Sequence, residues 1–294
     1  MATINASQDY DFISTLTFAS ASGTCNIKLF RGSPSGGTYA GTVYYRTGTS
    51  GSWTTLSVSG SSTTFPVGST TMQVASDWNK SGDDHVTQSF QGQSSNLTEI
   101  VISQKATVSG NVGPTFMYVF AEGCSSLTLL DVPDTSGITG CNSRFFMQFA
   151  RGCSSLTSLE VPDTSLLTTS STVLFFSSYA QNCSSLTSLA IPDTSGVSSA
   201  GFGFMGSYAG NCSSLERLEL PAAGWFASNN VDWDVPSGRL NTVKGYVQNN
   251  TDKSDWQDLV VSGETLHTNY IRSTDDVIFG SGFNPAFGHR RLLI

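Results

Sequence analysis

Four cysteines, Cys124, Cys153, Cys183 and Cys212, recur at intervals of 29, 30 and 29 residues, and they are the first residues in this chain whose type and spacing could do chemistry. A regular thiol column could hold a soft metal or close a ladder of disulfides. Zinc wants paired spacings such as Cys-x-x-Cys, and the sequence contains none. Units stacked at strand spacing lie about 5 Å apart, near enough for bridging, but a disulfide would break the regularity of the stack. The expectation is therefore a column of buried free thiols acting as small apolar residues. Cys25 and Cys141 fall outside the repeated slot.

The carboxylates show two further columns. Asp134, Asp163 and Asp193 each follow a proline. Aligned acids can bind calcium when enough oxygens converge, but an Asp after Pro also closes an Asx turn, and the turn is the expectation. Asp131, Glu160 and Glu219, with Ala190 interrupting, should form an acidic stripe on the exposed face of a sheet, suited to a basic or cation-bridged partner or simply to solubility. His85, His267 and His289 are far apart and have no neighbouring nucleophile or metal-spacing partner. Gly201-Phe-Gly-Phe-Met-Gly206 matches the dinucleotide glycine pattern. It lacks the strand before it and the acidic residue after it that the chemistry requires. No catalytic, cofactor or metal residues are expected, and the chain is not read as an enzyme.

The elements that carry these residues are copies of one unit. Phe120-Ala-Glu-Gly-Cys124-Ser-Ser-Leu127-Thr-Leu-Leu130-Asp-Val132-Pro133-Asp134-Thr-Ser recurs as Phe149 to Ser165 and as Tyr179 to Ser195, and in shortened form as Tyr208 to Pro221. Leu97, Ile100 and Ile102 mark a decayed copy before them, and Leu240-Asn-Thr-Val243 marks one after. Phe116/Phe120, Phe145/Phe149, Phe175/Tyr179 and Phe204/Tyr208 are i, i+4 pairs. That spacing predicts two aromatics on one face of a short helix, ended by the Gly or Asn before the cysteine. Leu-x-x-Leu-x-[Val/Ile/Leu]-Pro then predicts a short strand, which proline terminates. No such unit buries its apolar face alone, so the units must stack with their strands in a parallel sheet.

At these residues the sequence resembles the BspA-like leucine-rich repeats, with their Phe-x-x-Cys-x-x-Leu-x-x-[Val/Ile] pattern, over about residues 90–258. Asn250 to Leu259, with Trp256, also looks like the tryptophan-containing segment that closes such arrays. The resemblance implies a helix-containing solenoid used for adhesion or partner binding, on bacterial and protist surfaces or in phage structural proteins. The Pro-Asp-Thr-Ser insertion and the repeat length depart from the shorter repeats of that family.

Residues 1–88 have no helical periodicity. Ser14–Phe18, Asn26–Phe30, Thr42–Arg46, Trp53–Val58 and Thr71–Ala75 read as strands, the third and fourth as a hairpin. The expected fold class is thus α+β: a β-sandwich over 1–88, a leucine-rich-repeat α/β solenoid with capping repeats over 89–260, and a C-terminal extension or docking arm over 261–294. In that extension Val277–Phe279 and Leu292–Ile294 could be short strands. Phe283, Phe287, Leu292, Leu293 and Ile294 make its end too apolar to lie free in water, so a docking role is expected, on this chain or on a neighbour.

Composition limits the partners. Only 12% of residues are charged, about half the usual ~25%, and Ser, Thr, Gly and Asn take their place. A net charge of −8 with His289-Arg-Arg as the sole basic cluster excludes a nucleic-acid footprint. No run of apolar residues is long enough to insert in a membrane as a helix, and the N-terminus shows neither a basic n-region nor an apolar h-region. The expectation is a non-enzymatic, extracellular recognition or structural protein. A phage virion component (receptor binding, or capsid or tail decoration) is favoured over a bacterial cell-surface adhesin, and a carbohydrate-binding module is a third reading. Partners would be other chains of an assembly, a homo-oligomer included, and a cell-surface receptor or glycan.

Overall fold

Along Phe12–Phe18 burial alternates, with Phe12, Ser14, Leu16 and Phe18 inside and Ile13, Thr15 and Thr17 turned outward, as the two-residue period of a strand requires. In this computed structural model, residues 12–31, 40–58, 62–76, 86–93, 96–104, 108–141, 143–168, 173–221, 244–247, 254–257 and 277–279 are described. The N-terminal strands are β1 (Phe12–Phe18), β2 (Thr24–Arg31), β3 (Gly41–Thr47), β4 (Thr54–Val58), β5 (Thr63–Pro66), β6 (Thr71–Ser76), β7 (Val86–Ser89) and β8 (Leu97–Gln104). β3 and β4 form the expected antiparallel hairpin, Tyr45 opposite Thr54. One sheet runs β8-β1-β6-β3-β4, and a second, β5-β2-β7, contributes Cys25, Ile27, Leu29 and Phe65 to the same core.

The repeats continue that sheet. β8, the strand of the decayed copy, pairs antiparallel with β1 on one side and parallel with β10 (Leu129–Leu130) on the other. A side sheet pairs β9 (Ser109–Val112) with β11 (Gly137–Cys141). Farther along, β12 (Ser188–Ala190), β13 (Arg217–Glu219), β14 (Lys244–Val247) and β15 (Val277–Phe279) form a parallel ladder. The short strand expected at Val277–Phe279 is therefore β15. The described residues of the N-terminal strands and those of the repeats contribute to one buried cluster. Trp256 sits in a helical turn at 254–257, buried, with its indole N–H donating to the Pro221 carbonyl at 2.7 Å.

The expected α+β fold with a helix-containing leucine-rich-repeat solenoid is overturned. Among the described residues strands dominate, helix is limited to the turn at 254–257, and the sheets are several and small, with no closed solenoid. Where short helices were expected, the backbone forms a ribbon of overlapping turns. In the second repeat Met147, Phe149, Arg151 and Cys153 donate to the carbonyls three residues back, of Arg144, Phe146, Gln148 and Ala150. The N–H groups of Arg144, Gln148, Ala150 and Gly152 instead donate to Val173, Ser177, Tyr179 and Gln181 of the next repeat, at 2.7–2.9 Å. Phe146, Gln148 and Gly152, the third residues of three of these turns, have φ of 52°, 56° and 79°, the sign that a type II turn demands.

The spacing between repeats favours a ribbon over helices. Parallel strands advance about 4.8 Å per repeat, whereas packed helices need 8–10 Å between axes. The ribbon advances at nearly the strand spacing. Phe116, Phe145, Phe175 and Phe204 stack with centroids 5.7, 4.9 and 5.4 Å apart. Phe120, Phe149, Tyr179 and Tyr208 stack at 5.4, 5.5 and 5.4 Å. Both sides of each repeat thus keep pace. The cost is conformational, since a left-handed residue with a Cβ is disfavoured by about 1–2 kcal/mol. Eleven such non-glycine residues occur among those described, Val119 and Phe176 included. Inter-repeat hydrogen bonds and the ring columns offset that strain.

Candidate interaction surface

Each thiol of the repeat column is fixed the same way. The Sγ of Cys124, Cys153, Cys183 and Cys212 donates to the carbonyl of Phe90, Ala121, Ala150 and Ala180, at 3.2, 3.1, 3.1 and 3.0 Å. All are buried free thiols, and burial pushes the Cys124 thiol up to about 12. Cys25, on β2, joins the end of the column beside Cys124, whose proximity adds to the rise that burial causes. The slot before Cys124 is filled by Gln93, with Gly92 and Gly123 both left-handed, at φ of 79° and 76°. The decayed copy therefore reaches back to Phe90, whose N–H donates to the Phe120 carbonyl.

The Asp column closes turns. Oδ1 of Asp134, Asp163 and Asp193 accepts the N–H of Ser136, Ser165 and Ser195, at 3.1, 2.9 and 2.9 Å. The neighbouring threonines link repeats: Thr135 Oγ1 donates to the Asp163 carbonyl at 2.8 Å, and Thr164 Oγ1 to that of Asp193. Thr194 is the last of this series, 1% exposed, and its hydroxyl has no partner.

The acidic stripe is tied down rather than displayed. Asp131 Oδ2 accepts the Ile102 N–H at 2.9 Å while the Asp131 N–H donates to the Ile100 carbonyl, so the side chain extends the β10–β8 pairing by one step. Burial pushes the Asp131 carboxyl above its ordinary value, and the Ile102 hydrogen bond opposes that rise. Glu160 is half-buried, and its main-chain carbonyl accepts the Tyr179 hydroxyl. Glu219, expected to be exposed, is only 8% exposed and pairs with Arg217 at 3.4 Å. Beside it in register lies Ala190, whose carbonyl accepts the Tyr208 hydroxyl at 2.8 Å.

Phe204 of the glycine pattern is buried in the ring column, as the repeat alignment requires. Its neighbour Phe202 is 80% exposed, following Val173 at 39% along the ribbon, where the Leu174 N–H donates to the Phe202 carbonyl. His85, His267 and His289, the Leu240–Val243 copy, and the arm residues Phe283, Phe287, Leu292, Leu293 and Ile294 lie outside the described residues. Among the described residues, no group of three or more His, Cys, Asp or Glu could hold a metal ion.

Sequence reasoning passed over Arg46, Gln73 and Thr15, which the structure aligns across β3, β6 and β1. The signal was present in the hairpin, where Thr42, Tyr44 and Arg46 alternate with Val43 and Tyr45. Comparison with family models, with characterised proteins and with solved structures finds no match.

Proposed function

We propose that this chain is a non-enzymatic structural and recognition protein of an extracellular assembly, a virion component that meets partner chains or a receptor through its surface. The observation that carries this reading is the use to which the stack puts its reactive groups. Thiols, the Asp131 carboxylate and Tyr hydroxyls bind backbone of neighbouring repeats, and the remaining Asp carboxylates of the column close turns within their own repeat. Such groups build a rigid body, and what they leave outside is a surface of hydroxyls with a few apolar side chains. The column of buried thiols also fits a protein that folds in a reducing compartment and leaves it afterwards in an assembled particle.

Fractionation of the native source tests the reading. The protein should sediment with particles, at a fixed copy number per particle, and remain after washing in high salt. Recovery with cell envelopes would replace the virion reading with that of a cell-surface adhesin. Recovery as a free monomer from cell extract would overturn both.

A further inference from the structure

The sheet β8-β1-β6-β3-β4 is finished at one edge and open at the other. β8 is covered by β10 of the repeats. Among the described residues β4 pairs with β3 alone, from Gly41 opposite Val58 to Tyr45 opposite Thr54. The β4 residues make no other backbone hydrogen bond, so every second one turns an unbonded N–H and C=O outward. The edge is uncovered, with Thr54, Thr55 and Ser57 exposed. Proteins blunt such an edge with a lysine, a proline or a bulge, and β5 does end on Pro66. β4 has none of these devices. Its register with β3 is unbroken, and Thr47 to Val58 holds neither a proline nor a charged residue. The core also stops short here. Val58 is buried, but Leu56, opposite the buried Val43, packs against the core and is only half-buried.

We propose that β4 is the contact between two copies of this chain, paired antiparallel about a two-fold axis at Leu56. That axis sets Leu56 against the partner's Leu56, Thr54 against the partner's Val58, and Thr55 against the partner's Ser57. A closed two-fold contact of this kind uses the same patch on both copies, and three features of the edge suit it to itself. On the outer face the pairs are hydroxyl on hydroxyl, which attract across strands. On the core side each half-buried Leu56 receives the cover that the other lacks. The third feature is charge. A chain of net charge −8 repels its copies, but no carboxylate lies between Thr47 and Val58, and charges farther off than about 8 Å are screened at physiological salt. Five residues on each side bury less than the roughly 800 Å² per partner of a standard interface. Association of the free chain therefore belongs in the micromolar range, and it strengthens wherever copies are held side by side.

The proposal goes beyond the recognition reading and fails separately from it, because it is measured on the purified full chain and not on particles. Sedimentation equilibrium over roughly 1 to 100 μM should show the 31.2 kDa monomer passing into a dimer. Thr55→Lys combined with Ser57→Lys brings like charges together at both outer-face pairs and should weaken the dimer by about tenfold or more. Thr55→Lys combined with Ser57→Glu sets opposite charges at the same pairs and should return the dimer to wild-type strength. Both positions are exposed, and circular dichroism checks that the variants keep their fold. Leu56→Cys gives an independent reading should a charge variant unfold. The six native cysteines are all buried, so mild oxidation should join two copies through the introduced thiol alone. A monomer at every concentration, a dimer indifferent to the paired lysines, a dimer lost equally in both double variants, or a Leu56→Cys chain that stays uncrosslinked would overturn the proposal.

Discussion

The N-terminal sheets and the repeat ribbon both bury aromatic and aliphatic side chains completely, yet they satisfy their backbones in different ways. In the sheets every strand bonds to strands reached by hairpins or crossovers, and side chains alternate in and out, as along β1. In the ribbon the N–H groups divide between a carbonyl three residues back and a carbonyl in a neighbouring repeat. Its burial runs two in and two out, with Phe145 and Phe146 inside, Met147 and Gln148 half-buried, then Phe149 and Ala150 inside. A sheet tolerates changes that keep the alternation. The ribbon has the further requirement that particular residues remain left-handed, so the two regions should answer differently to substitution.

Where the regions share a rule, core truncation should cost the same in either. Leu159 is 5% exposed in the stack, and Leu159→Ala should lose about 2–5 kcal/mol, as Leu16→Ala should on β1. Urea denaturation of both variants measures this. A loss under 1 kcal/mol at Leu159 alone would show the stack to be far looser than the sheets.

The buried thiols make the stack sensitive to pH. Cys124 is raised from 9.0 to about 12 by burial, so the unfolded chain releases this proton before the folded one does. Stability associated with the thiol is complete below pH 9 and falls as pH climbs from there toward about 12. Between pH 8 and 10.5 the gap in unfolding free energy between wild type and Cys124→Ala should shift by about 2 kcal/mol against the wild type. Urea melts at the two pH values check it, and a constant gap would mean that the thiol reaches solvent in the native fold.

The strands at the N-terminus were legible because period two has a single structural meaning. All five expected strands there exist, and those missed, β5 and β7, are four residues each and flanked by Gly, Ser and Asp. The repeat unit, its parallel strands and its Asx turns were legible too. The helix was not excluded by anything in the pattern, since a two-in, two-out ribbon places aromatics at i, i+4 just as a helix does. Only φ distinguishes them, and residues such as Phe146 and Leu174 carry no outward sign of a left-handed backbone. Gly123, Gly152, Asn182 and Asn211 did carry one, and it reads equally well as a helix cap. The acidic stripe differs for another reason: Asp131 acts as a backbone acceptor for Ile102 of the preceding copy, and Glu219 pairs with Arg217 two residues before it on β13.

Glycine substitution turns that ambiguity into a sign. Gln148 is half-buried with φ of 56°, and its N–H bond to Ser177 survives any side-chain change. In a helix Gln148→Gly would cost about 1 kcal/mol. In the ribbon it relieves a left-handed residue and should be neutral or stabilising by up to about 1 kcal/mol. Thermal melting decides, and a clear destabilisation would restore the helix.

The smallest expected effect tests whether the ribbon's regularity ends where the repeats do. Thr135 and Thr194 occupy the same slot, each 1% exposed, two repeats apart. The Thr135 hydroxyl donates to the next repeat at Asp163, and the Thr194 hydroxyl has no partner. The sequence changes at the same point: the next repeat after Thr194 reads Pro221-Ala-Ala-Gly where its predecessors read Pro-Asp-Thr-Ser. Valine has the shape of threonine without the hydroxyl. Thr135→Val should therefore cost about 1 kcal/mol, because a bond is lost and a buried carbonyl loses its donor. Thr194→Val should cost nothing or stabilise slightly, because a hydroxyl buried without a bond is a standing penalty. Paired urea titrations resolve the difference, and equal costs at the two positions would show that Thr194 has the same kind of neighbour as Thr135, so that the ladder runs one repeat farther than its Asp-Thr-Ser turns.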